Sequence, residues 1–194
     1  LFSIGNVRKV IFPGNTTLEK ASPKEETIWN VGMEISPGNT TLGEALGKNG
    51  YLTYGIGKWH NDKASFNRTF QNGDEVFFGG MGDQFNKPLN HYDTTGKYDK
   101  KITLENSGKS ILADHLYPGK HASEIFAESA VRFINGYKTD KPFFLYVAFT
   151  APHDPRVMPE KYKAMYDTSR IALPGNFMQK HPFDNGELKI RDEL

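Results

Sequence analysis

Two cationic side chains, Lys58 and His60, stand two positions apart just after a short apolar segment at residues 51–54. The stretch 55–60 reads as the end of a β-strand, where side chains two positions apart point to the same face. Lysine supplies a permanent charge, and histidine supplies a donor that titrates near neutral pH. The pair predicts a site for an oxyanion such as sulfate or phosphate. A solvated lysine beside a packed tryptophan is the simpler alternative.

A third candidate, His153, follows a second apolar segment. Residues 143–149 form a continuous apolar run rich in aromatic side chains, which is typical of a fully buried central strand in a parallel sheet. Open α/β sheets bind their ligands at the carboxyl ends of the strands. We therefore expect His153 to join Lys58 and His60 at one edge of the sheet.

The elements that must position these residues alternate between helix and strand. Thr41 and Glu44 fit a capping box at the start of a short helix, and strand 51–56 follows it. A longer helix is predicted from a Ser123 cap to about Asn135, directly before the second strand. A short helix is expected to begin near Pro159. This order predicts an α/β sandwich with a parallel central sheet.

Residues 61–120 are rich in Gly, Asn, Asp and Lys and show no long periodic stretch. Within a single domain covering 1–194, we predict a loop-rich insertion here, with short strands lying over the site. His115 and His121 flank a Pro-Gly pair and are predicted to be loop residues. Seven aromatic side chains of the segment could stack on sugars or pack the loops together: Phe66, Phe70, Phe77, Phe78, Phe85, Tyr92 and Tyr98.

Composition excludes several classes of function. The 194 residues carry 24 basic and 23 acidic side chains, for a net charge of +1, which gives no electrostatic case for binding nucleic acid. No window approaches the length of a membrane span, and no signal peptide is visible. Because there is no cysteine, thiol nucleophiles, disulfides and thiolate zinc sites are absent.

Three further residues are secondary candidates for contact with a substrate. His91 and Lys97 could reach a substrate from the insertion, or they could belong to a surface loop. Arg156 could bind a carboxylate or sulfate as a two-pronged donor, or it could pair with a nearby acid such as Glu160.

Two motifs in this order resemble signatures of the sulfatases, a family of the alkaline phosphatase superfamily. Residues 50–60 are similar to the second signature, and residues 142–155 are similar to the later sheet strand with its histidine. The helix at 41–46 also matches, and 181–193 resembles a stretch of bacterial sulfatases. The resemblance covers roughly 37–194. It implies part of the family's three-layer α/β/α sandwich with a mostly parallel central sheet, truncated at both ends.

The resemblance implies hydrolysis of sulfate esters, with separate roles for the three cationic residues. Lys58 would bind a sulfate oxygen, His60 would act as a general base when the sulfated intermediate collapses, and His153 would help the alcohol leave. The family's nucleophile is a formylglycine made from the Cys or Ser of a Cys/Ser-x-Pro/Ala-x-Arg motif. A calcium ion, held by an early acidic pair and a late Asp-Asn pair, binds the sulfate and the nucleophile.

The sequence departs from this pattern at the nucleophile and at the metal. It has no cysteine and no serine in the required context, and it lacks the early acidic pair. Asp184-Asn185 matches the late pair only superficially, because it does not follow an apolar strand and comes too soon after His153. We therefore assign no metal ligand. We expect an internal fragment of a sulfatase catalytic domain that is inactive alone, from a parent enzyme that uses formylglycine and calcium.

Two alternatives remain open at this point. One is a phosphodiesterase or phosphonate hydrolase of the same superfamily, and the other is a non-catalytic module that binds sulfated glycans. The expected ligand is a sulfate ester, including sulfated glycans, with no nucleic acid or membrane partner.

Unpaired sheet edges predict self-association of the chain. The parent is expected to be exported to a periplasmic, extracellular or lysosomal space. The final residues 191–194 resemble a retention signal of the endoplasmic reticulum, which we attribute to chance.

Overall fold

A computed structural model describes residues 34–103, 108, 110–178 and 182. Its elements in chain order are α1 (Leu42–Lys48), β1 (Leu52–Lys58), α2 (Lys63–Thr69), β2 (Asn72–Phe77), β3 (Lys101–Thr103), β4 (Ser110–Leu112), α3 (Ala122–Gly136), β5 (Phe143–Ala148), α4 (Glu160–Lys163) and a 3-10 turn (Thr168–Arg170). Residues 7–12, which could form a short strand by sequence, the Asp184-Asn185 pair and the terminal 191–194 lie outside the described residues.

The central sheet is parallel, with strand order β2-β1-β5, as the alternation of helix and strand predicts. Gly55 of β1 lies opposite Gly73 of β2 and Tyr146 of β5. Strands β3 and β4 form a separate antiparallel pair. The three parallel strands end at one edge, which brings the segments after β1 and β5 together.

Helices cover both faces of this sheet, which confirms the three-layer α/β/α arrangement. On one face, Ile56 packs with Phe77 and with Ile125 and Phe126 of α3. On the other face, the aromatic rings of α2 and its C-cap lie against β1: a Cβ on Gly55 would come within 2.8 Å of both Phe66 and Phe70. Because Gly55 has no side chain, α2 can pack close to β1.

Helix α1 begins as the sequence predicts. The Glu44 backbone amide donates to the Thr41 hydroxyl at 3.2 Å, and the Thr41 amide donates back to Glu44 Oε2 at 2.8 Å. The predicted start of α3 at a Ser123 cap is wrong. The cap is His121, whose Nδ1 accepts from the Ser123 amide at 3.2 Å and whose ring is buried. At this N-cap an imidazole nitrogen accepts the hydrogen bond that a serine or aspartate side chain usually accepts.

The segment 61–120 contains more regular structure than the sequence predicts. Asp62 caps α2 by accepting from the Ser65 amide at 2.7 Å, and β2 joins the central sheet beside β1. α2 escaped prediction because Asp62 and Ser65 do not form the capping box that marks α1, and β2 escaped it because it carries polar residues. Two of these, Asp74 and Glu75, bind side chains outside the sheet instead of facing water.

The prediction that β5 is fully buried is wrong. Its residues are half-buried or exposed, and among the described residues it pairs only with β1. The predicted helix near Pro159 is confirmed as α4, with Pro159 at its N-cap. Within the described ranges, no helix is long and apolar enough to cross a bilayer.

Candidate functional site

The exit of β1 is shaped by a close approach of two strands at Gly57. This residue has φ +88°, and a Cβ placed on it would lie 2.1 Å from the Ala148 carbonyl oxygen of β5. The register with β2 shifts between Ile56 and Gly57. Only glycine fits both the backbone conformation and the contact. Lys58, the last residue of β1, directly follows this irregular position.

Trp59 fixes the chain between the two cationic residues. Its Nε1 donates to the Asp62 carbonyl oxygen at 3.0 Å and to Ser65 Oγ at 3.2 Å, and its ring is buried. The backbone amide of Trp59 also donates to the Phe77 carbonyl at 2.9 Å. The strand ends at Lys58, so the strand alternation that predicted a shared face for Lys58 and His60 does not extend to His60.

The surroundings of His60 nevertheless bring the three predicted residues together. Burial, the positive charge of Lys58 and the presence of His153 all lower the pKa of the His60 imidazole below its usual value near 6.5. A Cβ on Gly80 would lie 3.3 Å from His60 Nε2, so the loop after β2 lies against one edge of this ring, while the residue as a whole remains exposed. A neutral imidazole at pH 7 can accept a proton.

A buried hydrogen bond fixes the exit of β5 ahead of His153. The Thr150 hydroxyl donates to Gln84 Oε1 at 2.6 Å, and both side chains are almost fully buried. The His153 amide donates to the Thr150 carbonyl at 3.1 Å, which closes a turn. The stretch 78–87, named here the β2 exit loop, therefore touches His60 through Gly80 and the β5 exit through Gln84.

Lys87 supports the same loop from the inside. Its side chain is buried, its ammonium donates to the Gly82 carbonyl at 2.7 Å, and it lies 4.5 Å from the centre of the Phe77 ring. Sequence reasoning missed both Gln84 and Lys87, because they lie in a segment without periodicity. The only available signal was a lysine and a glutamine inside a Gly-rich stretch next to the predicted site.

The secondary candidates lie in other settings. Arg156 pairs with Asp154 at 2.9 Å rather than with Glu160, and its side chain is 76% exposed. Lys97 is exposed in a turn that the Asp93 carboxylate organises through the amides of Thr95 and Tyr98.

His91 belongs to a polar cluster at the outer edge of β2. Its ring stacks on His115 with centroids 4.4 Å apart, and its Nδ1 lies 3.4 Å from Asp74 Oδ1. His115 Nε2 contacts Glu75 Oε2 at 2.7 Å, and Arg132 of α3 reaches Asp74 at 3.0 Å. Every ring and carboxylate of this cluster has a partner within it. The cluster therefore joins α3 to β2, and His115 is more than the simple loop residue predicted.

The aromatic side chains of 66–98 pack against each other, which is the second of the two alternatives that the sequence left open. Four of them are buried: Phe66, Phe70, Phe77 and Tyr98. The other three are half-buried against aromatic neighbours: Phe78 on Tyr98, Tyr92 on Phe66 and Phe85 on His121. No exposed ring platform is left among these seven.

A metal centre is not formed by the part of the chain that the structure describes. Within it, no group of three or more His, Asp or Glu side chains is arranged to hold an ion. The site consists of cationic and neutral donors, which suit an anion.

Comparison with known proteins identifies relatives of one kind. The family model described as Sulfatase matches residues 15–181. The uncharacterized sulfatase YdeN of Escherichia coli K12 is 25% identical over 163 residues, covering 78% of this chain and 29% of that protein. The arylsulfatase of Klebsiella aerogenes is 29% identical over 131 residues, covering 61% of this chain and 26% of the relative.

Two further matches are a curated protein and a solved structure. Arylsulfatase J of Mus musculus is 31% identical over 133 residues, covering 63% of this chain and 20% of the relative. The solved structure of BT4656 with its substrate D-glucosamine-2-N,6-O-disulfate matches with a TM-score of 0.45 and 20% identity, covering 72% of this chain and 24% of that one. The chain thus spans less than a third of the length of each of these curated relatives.

Proposed function

The chain belongs to the sulfatase family, and we propose that the protein carrying it hydrolyses sulfate esters at the edge where β1 and β5 end. The observation that supports this most is the grouping of Lys58, His60 and His153. Lys58 and His60 lie at the end of β1, His153 lies after β5, and the charges of Lys58 and His153 both act on His60. Three nitrogen donors at one sheet edge suit the oxygens of a sulfate group.

Each residue has a role that its surroundings allow. Lys58 binds a sulfate oxygen as a fixed positive charge. His60, whose pKa is lowered by burial, Lys58 and His153, stays neutral at pH 7 and would act as a general base, accepting a proton from a hydroxyl of a formylglycine held beside the sulfate. His153 holds the ester oxygen and gives it a proton as the alcohol departs.

Formylglycine and calcium are part of this proposal for the complete protein. Calcium needs six to eight oxygen ligands, and the described residues offer no such set. The described site residues therefore do not fit the metal, and no step above is routed through it. The 194 residues contain no cysteine to supply the aldehyde, so we propose that this stretch alone does not turn over.

The test is hydrolysis of matched aryl esters by the complete gene product. We expect turnover of 4-nitrophenyl sulfate to exceed turnover of 4-nitrophenyl phosphate and of its methyl phosphodiester. A protein that prefers a phosphate ester would move the assignment to the phosphodiesterase branch of the superfamily.

The burial of the aromatic rings of 66–98 disfavours the alternative of a glycan-binding module. Tight binding of sulfated oligosaccharides by the complete protein, without turnover of any sulfate ester, would revive that alternative.

A further inference from the structure

Lys87 is an unusual lysine because its side chain is almost completely removed from water. Its residue is 1% exposed. Lysine is rarely buried to this degree unless it is paired with an acid, because an ammonium loses its hydration on burial. The contacts of Lys87 therefore show what compensates the charge.

Those contacts include no anion. The ammonium donates one hydrogen bond, to the Gly82 carbonyl at 2.7 Å, and it lies 4.5 Å from the Phe77 ring centre. An ammonium has three donors, so hydrogen-bonding capacity remains. Throughout 34–103 and 110–178, no carboxylate lies within ion-pairing distance of Lys87 Nζ; the acid nearest in sequence, Asp83, accepts from the Phe85 amide at 2.8 Å and from Asn86 Nδ2 at 2.6 Å.

The electrostatic surroundings place Lys87 beside the candidate site. Burial lowers the pKa of Lys87 to about 8, Asp83 offsets part of this effect, and the like charge of Lys58 adds to it. Because the two positive charges disfavour each other, an anion that contacts both ammonium groups would be stabilised. The β2 exit loop that holds Lys87 is the one whose Gly80 lies against His60 Nε2.

We propose that Lys87 is a further anion-binding residue of this site, which contacts an oxygen of the substrate's sulfate group when the β2 exit loop takes up its ligand-bound form. Gly82, whose carbonyl accepts from this ammonium, has φ +155° and the backbone freedom of glycine, so the loop can change conformation at this contact. Only the identity of the anion rests on the proposed function. No bond is made or broken by Lys87; its contribution is binding.

The experiment measures the affinity of the complete gene product for inorganic sulfate by calorimetry between pH 7 and 9.5, at constant chloride. Sulfate stays a dianion over this range, and His60 is already neutral. We expect the affinity of the wild type to fall as the pH rises through about 8. Lys87→Met should bind sulfate about tenfold more weakly at pH 7 and lose this pH step. Lys87→Arg should keep sulfate affinity above pH 8, where the wild type loses it.

Lys58→Met and the exposed Lys138→Met separate the possible failures. If Lys58→Met abolishes sulfate binding while Lys87→Met binds like the wild type, Lys87 is only a support for Gly82 and the inference is wrong. If neither change affects sulfate binding, the proposed function itself fails. Should Lys87→Met not fold, an unchanged pH profile in Lys87→Arg overturns the inference. Lys138→Met controls for loss of one positive charge elsewhere.

Discussion

Single residues decide the electrostatics of the candidate site. His60 is held neutral by its burial, by Lys58 and by His153, so its imidazole is a proton acceptor at pH 7. In the folded state its pKa lies below the usual value, so protonation favours the unfolded chain. Stability from this group is therefore complete above pH 6.5 and falls as the pH drops towards the folded-state pKa.

The first prediction concerns the titration of His60. By histidine NMR, its midpoint should lie below 6.5 in the wild type and rise towards 6.5 in Lys58→Met, because a nearby positive charge disfavours the imidazolium. Lys138→Met should leave the midpoint unchanged. If the titration midpoint of His60 is the same in Lys58→Met as in the wild type, the two side chains do not share a site.

At the scale of elements, the β2 exit loop joins the ends of β1 and β5. Gly80 lies against His60, Lys87 supports Gly82, and Gln84 accepts from Thr150 just before His153. The loop thus contacts the segments that carry two histidines, which follow strands far apart in sequence.

Removing the Thr150 hydroxyl tests that link. Thr150→Val leaves the buried Gln84 carbonyl without its donor, which should destabilise the fold by about 1–3 kcal/mol. Chemical denaturation measures this loss, and Thr94→Val, at an exposed turn position, is the matched control with an expected change within about 0.5 kcal/mol. Equal free energies of unfolding for Thr150→Val and the wild type would mean that this hydrogen bond does not stabilise the fold.

The close approach of β1 and β5 gives a second prediction at this scale. Gly57→Ala would place a Cβ 2.1 Å from the Ala148 carbonyl at a residue with φ +88°, so we expect a loss of at least about 2 kcal/mol. Gly136→Ala is the control, because a Cβ there meets nothing within 4 Å. Thermal unfolding compares the two, and a tolerated Gly57→Ala would refute the strand contact described.

The sequence predicted the elements that carry strong apolar patterns and missed those that do not. α1, β1, α3 and β5 were identified from capping residues, apolar runs and helical spacing. α2 has the same length as α1, but its cap residue Asp62 is not followed by a Glu or Gln three positions later. β2 is polar because Asp74 and Glu75 bind side chains of α3 and the following loops. Lys58, His60 and His153 could be proposed from the sequence because they stand at or just after the ends of apolar strands. Gln84 and Lys87 were not, since only the folded loop brings them to the site.

Across the whole molecule, the two faces of the sheet are covered, but one strand and the segment after it are not. β5 pairs only with β1 among the described residues, and Phe143 and Phe149 at its ends are 40% and 49% exposed. Along 157–178, nine large apolar side chains are exposed: Val157, Met158, Tyr162, Met165, Tyr166, Ile171, Leu173, Phe177 and Met178. Apolar surface on this scale marks a contact surface.

We therefore expect the purified 194-residue chain to self-associate. Sedimentation should show species larger than a monomer in proportion to concentration, and charged substitutions at Tyr166 and Leu173 should reduce them. A concentration-independent monomer with one sharp cooperative melt would contradict this expectation.

The account as a whole depends on Lys58 and His60 acting on a sulfate ester. The most direct measurement is kcat/KM of the complete gene product on 4-nitrophenyl sulfate, for the wild type, Lys58→Met, His60→Gln and Lys138→Met. Both site variants should fall by at least about 100-fold, because each removes a group that acts in the transition state. Lys138→Met should stay within about twofold of the wild type, since this exposed lysine lies outside the site. A Lys58→Met enzyme that keeps the wild-type rate would contradict the account.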